Sequence, residues 1–204
     1  MNENTAKRII AFTSQSLKQY GIRSVRMDVI AKNMNVSKRT IYQVYETKDN
    51  LISLCFESYS DRTHNLFQII KYNSSNSLMY LWEIVKAYIA NLFKAKCVFW
   101  LDLDKHYQYI GTAIQDIWLK ELDSAIQICQ DEGYIIPDLN ISMFLESFTQ
   151  LLYHARMAES LLEMLYNSAY FMLKGIMTIN GIGLLAPIKN DFISIAKNSF
   201  KTQN

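Results

Sequence analysis

The sequence predicts an all-α protein in two parts, a three-helix bundle over residues 1–50 and a larger helical domain over 51–204. Three observations predict it. Apolar residues recur at helical spacing almost throughout a chain that is 50% hydrophobic. The usual helix breakers are scarce, with 6 Gly and 2 Pro in 204 residues, which favours helices joined by short links. Charge is also unevenly divided: residues 1–50 carry 9 Lys/Arg against 4 Asp/Glu, and the remainder carries 12 against 15. A basic small part on an acidic large part points to a polyanion partner for the small part alone.

The first helix spans Thr5 to Tyr20, with Ile9, Ile10, Thr13, Leu17 and Tyr20 along one stripe and Gly21 as its stop. In the second, Met27, Ile30, Ala31 and Met34 fall at i, i+3, i+4 and i+7, and Asn35 supplies a left-handed turn. Ser37 is the N-cap of a third helix, "KRTIYQVY". At 100° per residue, Ile41 and Val44 share its inner face, Thr40 and Tyr45 lie at the edges, and Lys38, Arg39, Tyr42 and Gln43 project outward. Thr47 caps a long fourth helix.

Beyond Leu51, helices are expected at 48–71, 77–95, 103–111, 114–132, 140–159 and 162–179, with a weaker one near 190–200. Breaks are expected at "NSSNS", Gly111, "DEGYIIPD" and "NGIG".

Two short helices joined by a tight turn, the second apolar behind and basic-aromatic in front, describe a helix-turn-helix. The physical demand is that one face anchors the helix while the other enters a major groove. A solvated amphipathic helix would share part of this pattern, but it rarely displays Tyr42 beside Arg39.

"GIRSVRMDVIAKNMNVSKRTIYQVYETKDNLI" resembles the N-terminal domain of the tetracycline-repressor (TetR/AcrR) family of bacterial transcription regulators. The resemblance rests on Gly21, Ile30-Ala31, Val36-Ser37, the Tyr42-x-x-Tyr45 pair and Lys48-x-x-Leu51, and covers residues 5–55. The sequence departs from the pattern at Arg26, which stands where a capping Thr is usual, at Asn35 for Gly, and at Tyr45 for Phe or His. The cap of the second helix is therefore sought from Ser24, Asp28 or water. The resemblance implies base-edge or groove contacts from Arg39, Thr40 and Gln43. It implies phosphate contacts from Lys38, Tyr42, Tyr45 and Lys48, to which Arg26 adds one more.

In the larger domain, the helices over 140–180 are apolar on more than one face. Such a helix must be covered on both sides. Together with the resemblance, this implies a homodimer through Phe148, Leu152, Leu165, Ala169, Met172 and Ile176, holding two heads about 34–36 Å apart over a near-palindromic operator. Aromatic residues crowd the middle helices. Trp82, Phe93, Phe99, Trp100, Tyr107 and Trp118, with Tyr88 and Tyr109, read either as core packing or as the lining of a small-molecule effector pocket. The resemblance favours the pocket, and the aromatic content leans toward an aromatic, lipophilic or weakly cationic effector.

In "DLDKHYQY", Asp102, Asp104 and His106 stand at i, i+2 and i+4, which share no single helical face, so no metal site is expected. Cys55, Cys97 and Cys129 read as buried thiols in a reducing compartment. No signal peptide, membrane span, nucleophile elbow, P-loop or dinucleotide fingerprint is visible. The expectation is a cytoplasmic DNA-binding regulator without enzymatic activity or cofactor, a repressor released by a small molecule. The alternatives are an activator, or a regulator whose large domain senses a protein partner or nothing.

Overall fold

The computed structural model describes residues 3–185. The chain is all-α, with ten helices among the described residues: α1 (Glu3–Tyr20), α2 (Met27–Asn33), α3 (Lys38–Tyr45), α4 (Lys48–Asn73), α5 (Ser77–Phe93), α6 (Cys97–His106), α7 (Gln108–Asp131), α8 (Ile141–Met157), α9 (Leu162–Gly175) and α10 (Ile179–Leu185). Extended pairing within this stretch is confined to an isolated antiparallel bridge, Ile135 to Met177.

Two compact units divide the chain. One gathers the residues up to Leu66 with Lys94–Gln115; the other gathers Phe67–Phe93 with the chain from Asp116 onward. The head's core consists of Ile9, Leu17, Ile22, Val25, Met27, Ile30, Ala31, Ile41, Tyr45, Leu51 and Ile52. α6 packs on α1 inside this first unit, and the Lys96 N–H donates to the Lys18 carbonyl at 2.9 Å. Gly21 stops α1 with φ +83. A Cβ there would lie 2.8 Å from Asp102 Oδ2, so close approach and backbone sign both demand glycine.

The second unit is built around α5, which buries Leu78, Leu81, Trp82, Ile84, Val85, Ile89 and Leu92 against α8, α9 and α10. Trp118 packs edge-on to Phe67, ring centroids 5.0 Å apart, and tilted against Tyr88 at 5.6 Å. Asn140 caps α8 by accepting from the Met143 N–H at 3.0 Å.

Three boundaries differ from the sequence expectation. The break expected at Gly111 falls at Tyr107, and α6 begins at Cys97 instead of 103. Gly111 lies inside the first turn of α7, where an added Cβ would come 3.5 Å from Leu103 Cβ, an ordinary contact. "NGIG" is not a break but the start of α10. There Gly181 is required by contact: a Cβ would meet the Tyr134 carbonyl oxygen at 2.3 Å. That approach is held by the Thr178 N–H donating to the same carbonyl at 3.0 Å and the Ile136 N–H donating to Ile176 at 3.0 Å. The helix expected near 190–200 lies outside the described residues.

Candidate nucleic-acid interface

The turn between α2 and α3 is set by Asn35, whose φ of 53 is the left-handed value expected of it. The Val36 N–H closes the turn on the Ala31 carbonyl at 3.1 Å. Ser37 Oγ then accepts from the Thr40 N–H at 3.0 Å and lies 2.7 Å from the Thr40 hydroxyl, capping α3. Thr40 is thereby half-buried and turned toward its own cap. Thr47 Oγ1 accepts from the Asn50 N–H at 3.1 Å and caps α4 as expected.

The rear of α3 is Ile41 and Tyr45, fully enclosed, with Tyr45 3% exposed. This corrects the expected inner face. Val44 is 43% exposed, and it is Tyr45 that points inward. Val44 and Tyr45 stand 60° and 40° from Ile41 on the helical wheel, so the wheel alone separates them weakly. The larger side chain takes the interior, and its hydroxyl donates to the Ala6 carbonyl at 3.4 Å. Burial pushes the Tyr45 pKa up. The expected phosphate contact from Tyr45 is accordingly withdrawn, since its oxygen faces α1.

The front of α3 carries Lys38, Arg39, Tyr42 and Gln43, all exposed. Among the described residues Arg39 and Gln43 have no partner, so both side chains are free for a ligand. Lys38 Nζ pairs with Asp28 at 2.9 Å and lies 5.8 Å from the Tyr42 ring centroid. The hydrogen bond to Asp28 raises the Lys38 pKa, and an exposed pair of this kind exchanges its partner at little cost.

Arg26 is exposed and is the N-cap of α2 through its backbone alone, with no side-chain cap bond. Ser24 does not cap α2 either. Its hydroxyl donates back to the Tyr20 and Gly21 carbonyls at the end of α1. Lys48 is half-buried, and its ammonium donates to the Ile22 carbonyl at 2.6 Å and the Arg23 carbonyl at 3.4 Å. Burial lowers its pKa, with Asp49 and Asp102 acting the other way. Lys48 therefore ties α4 to the α1–α2 turn, a role the sequence reading missed.

"DLDKH" is largely absorbed by the same turn. Asp102, buried, accepts from the Arg23 N–H at 2.9 Å, and Arg23 Nη1 lies 3.3 Å from His106 Nε2. Among the described residues no group of three or more His, Cys, Asp or Glu side chains is placed to hold a metal ion.

The six aromatic residues read as a pocket separate three and three. Phe99, Trp100 and Tyr107 belong to the first unit, where Phe99 and Trp100 meet edge-on at 5.2 Å; Trp82, Phe93 and Trp118 belong to the second. In the second unit Trp82 is edge-on to Tyr170 at 6.5 Å, and the Arg156 guanidinium lies 4.7 Å from the centroid of Phe93. The residues assigned to a dimer face also need correction. Phe148, Leu152, Leu165, Ala169 and Ile176 are buried within the single chain, and Met172 is half-buried. They form the inner stripes of α8 and α9, which pack on each other and on α5. The outward stripes of those helices carry Met143, Leu151, Met164 and Phe171, all exposed.

No described helix is long and apolar enough to cross a membrane. The fold and head together define a helix-turn-helix protein whose chain also forms a second helical unit.

No protein-family model matches the chain. Over 155 residues it is 28% identical to the uncharacterized HTH-type transcriptional regulator YvaF of Bacillus subtilis (strain 168), spanning 71% of this chain and 80% of that protein. A TetR transcription regulator from Haloarcula marismortui matches with a TM-score of 0.72 at 15% identity, over 87% of this chain and 100% of that one. The fatty acid degradation regulator FadR from Bacillus halodurans matches at 0.69 and 17%, over 86% and 97%. The architecture is that of the TetR-family transcriptional regulators, as the N-terminal resemblance implied.

Proposed function

We propose that the protein is a transcriptional regulator that binds operator DNA through α3 as a homodimer, represses, and is released by a small-molecule effector. One observation carries the DNA reading: Arg39 and Gln43 stand outward and unpartnered on a capped helix whose opposite side, Ile41 and Tyr45, is sealed into the head. That arrangement suits a helix meant to enter a groove 12 Å wide. Arg39 forks onto a base edge, Gln43 reads its neighbour, and Tyr42, Lys38 and Arg26 contact phosphates. Thr40 and Lys48, each engaged within the head, contribute less than the sequence pattern implied.

The dimer reading rests on the outward apolar stripe of α8 and α9. Met143, Leu151, Met164 and Phe171 are all exposed among the described residues, an apolar stripe that invites cover. A second copy of the same face would cover it under two-fold symmetry, and paired heads then read a near-palindrome. The effector reading rests on the aromatic residues of the second unit, the buried Trp82 and Trp118 and the half-buried Phe93.

The test is selection of operator sequences from a random DNA pool by the purified protein, followed by binding of Arg39→Ala to the selected site and to random DNA. Arg39→Ala is expected to lose roughly 1–3 kcal/mol on the selected site and much less on random DNA. Equal losses on both would remove Arg39 from base reading. Compounds that release the selected DNA then identify the effector, and absence of any shift in melting with a broad panel would favour a protein partner instead.

A further inference from the structure

A second concave site lies in the first unit, away from the outer face of α3. A cleft of about 750 Å³ is bounded by the second half of α1, by α2 and by Lys94. Its polar wall carries Lys18, Arg26 and Lys94 together with Ser16, Gln19 and Asn33, and no Asp or Glu side chain lines it. Its apolar wall includes Tyr20 and Val29, which are 62% and 51% exposed despite their size. The wall is held in place by the Lys96 N–H bond to the Lys18 carbonyl, which fixes the segment bearing Lys94 beside α1.

Two cations elsewhere in the head are engaged within it, unlike those of this cleft. Lys38 has Asp28 and Lys48 has two carbonyls. Among the described residues, Arg26 and Lys94 have neither an ion pair nor a hydrogen-bond acceptor. Lys18 is half-buried, with the Tyr59 ring centroid 5.7 Å from its ammonium. Burial lowers its pKa first, and the charges of Arg62 and Lys94 lower it further. Three positive residues thus line one half-enclosed space that has no carboxylate among its lining residues. Like charges held this way repel at reduced dielectric, and an anion between them reverses the sign of each interaction.

We propose that this cleft is a binding site for a small organic oxyanion, a phosphate monoester or a carboxylate. Lys18 and Lys94 take the charged group, and an apolar body rests on Tyr20 and Val29. The volume suits a small molecule. Arg26 belongs both to this cleft and to the phosphate-contacting set proposed above, so occupancy draws one cation from the DNA face.

The experiment uses the full chain without DNA, which keeps it separate from the operator reading: either can fail while the other stands. Phenyl phosphate, benzoate and neutral benzyl alcohol are titrated by calorimetry, and the Lys18 ammonium is followed by NMR. At least one anion is expected to bind where the alcohol does not, and to move the Lys18 pKa upward. The arm that binds more tightly separates phosphate from carboxylate chemistry. Lys94→Gln, at an exposed position that leaves the core intact, is expected to weaken binding, and Lys18→Gln with Lys94→Gln to weaken it about tenfold or more. Equal binding of the alcohol, no binding of either anion, or unchanged affinity in the double variant would overturn the proposal. So would loss of DNA affinity in the double variant without any anion binding, which would give the cleft to the duplex instead.

Discussion

Tyr45→Phe separates the wheel-based reading of α3 from the packed one. A tyrosine hydroxyl donating to a phosphate is a charge-assisted hydrogen bond, worth roughly 1.5–3 kcal/mol, or about ten- to a hundredfold in affinity. In the structure that hydroxyl donates instead to the Ala6 carbonyl at 3.4 Å, at the long end of hydrogen-bonding distance. Its removal should therefore cost stability about 0.5 kcal/mol or less. Affinity for a selected operator should change less than about twofold, by the same logic that a side chain facing α1 touches no phosphate. Tyr42→Phe, whose ring is 41% exposed on the other side, is the matched control and should weaken DNA about tenfold. Tyr45→Ala is a different experiment. It empties a site 3% exposed and should cost about 3–5 kcal/mol of stability. The assays are fluorescence anisotropy with a labelled operator and thermal melting of the same samples. A tenfold loss of operator affinity in Tyr45→Phe at unchanged melting temperature would refute the inward placement.

Glu46 ends α3 with φ 59 and ψ −58, and the Thr47 N–H closes on the Tyr45 carbonyl at 2.6 Å, a strained γ-turn. Glu46→Gly should relieve about 1 kcal/mol and raise the melting temperature by about 2–4 °C; a drop would show the turn to be unstrained. Phe171→Glu with Met164→Glu places charge on the outward stripe of α9 and should yield monomers at micromolar concentration by light scattering while circular dichroism is unchanged. Intact dimers would move the interface elsewhere. Burial, with the charge of Glu132 adding, pushes the Cys129 thiol from 9.0 up to about 11. The folded chain then holds a proton that the unfolded chain has lost, so stability falls as pH rises from about 9 to 11, by at most about 3 kcal/mol. Cys129→Ala should remove that extra decline in urea unfolding at pH 8 and 10.5; identical slopes in both proteins would assign the decline to other groups.

The head was legible because each of its signals is local. Gly21, Asn35, Ser37 and Thr47 punctuate short helices at positions fixed by backbone sign or by capping hydroxyls, and all four act as read. What the sequence misled on involves long-range choice. Val44 against Tyr45 was decided by which side chain reaches α1. The inner and outer stripes of α9 could not be told apart by composition, because Leu165 and Ala169 are no more apolar than Met164 and Phe171. Gly181 looked like a breaker, although its function is to admit the Tyr134 carbonyl, a neighbour 47 positions away in sequence. The aromatic residues of the middle helices were grouped because they are close in sequence, whereas the fold assigns residues 94–115 to one unit and their flanks to the other.

The orientation of α3 depends on more than its own eight residues, since a helix that short is unstable alone. Its register comes from the head core, and the head core is closed at the α1–α2 turn by two oppositely charged side chains. Asp102 accepts the Arg23 N–H from one side, while the Lys48 ammonium takes the Ile22 and Arg23 carbonyls from the other. Each charge is met by backbone dipoles of the same turn, at Ile22 and Arg23, so neither is left buried without a partner. Hydrogen bonds to charged groups are worth about 1.5–3 kcal/mol each, comparable with burying one more aliphatic side chain. These bonds are directional where apolar packing is not. A bundle this small has few core residues with which to fix a turn, and the paired charges supply the geometry that those residues cannot. Lys48 and Asp102 therefore act on α3 indirectly, by fixing the turn on which the head core closes.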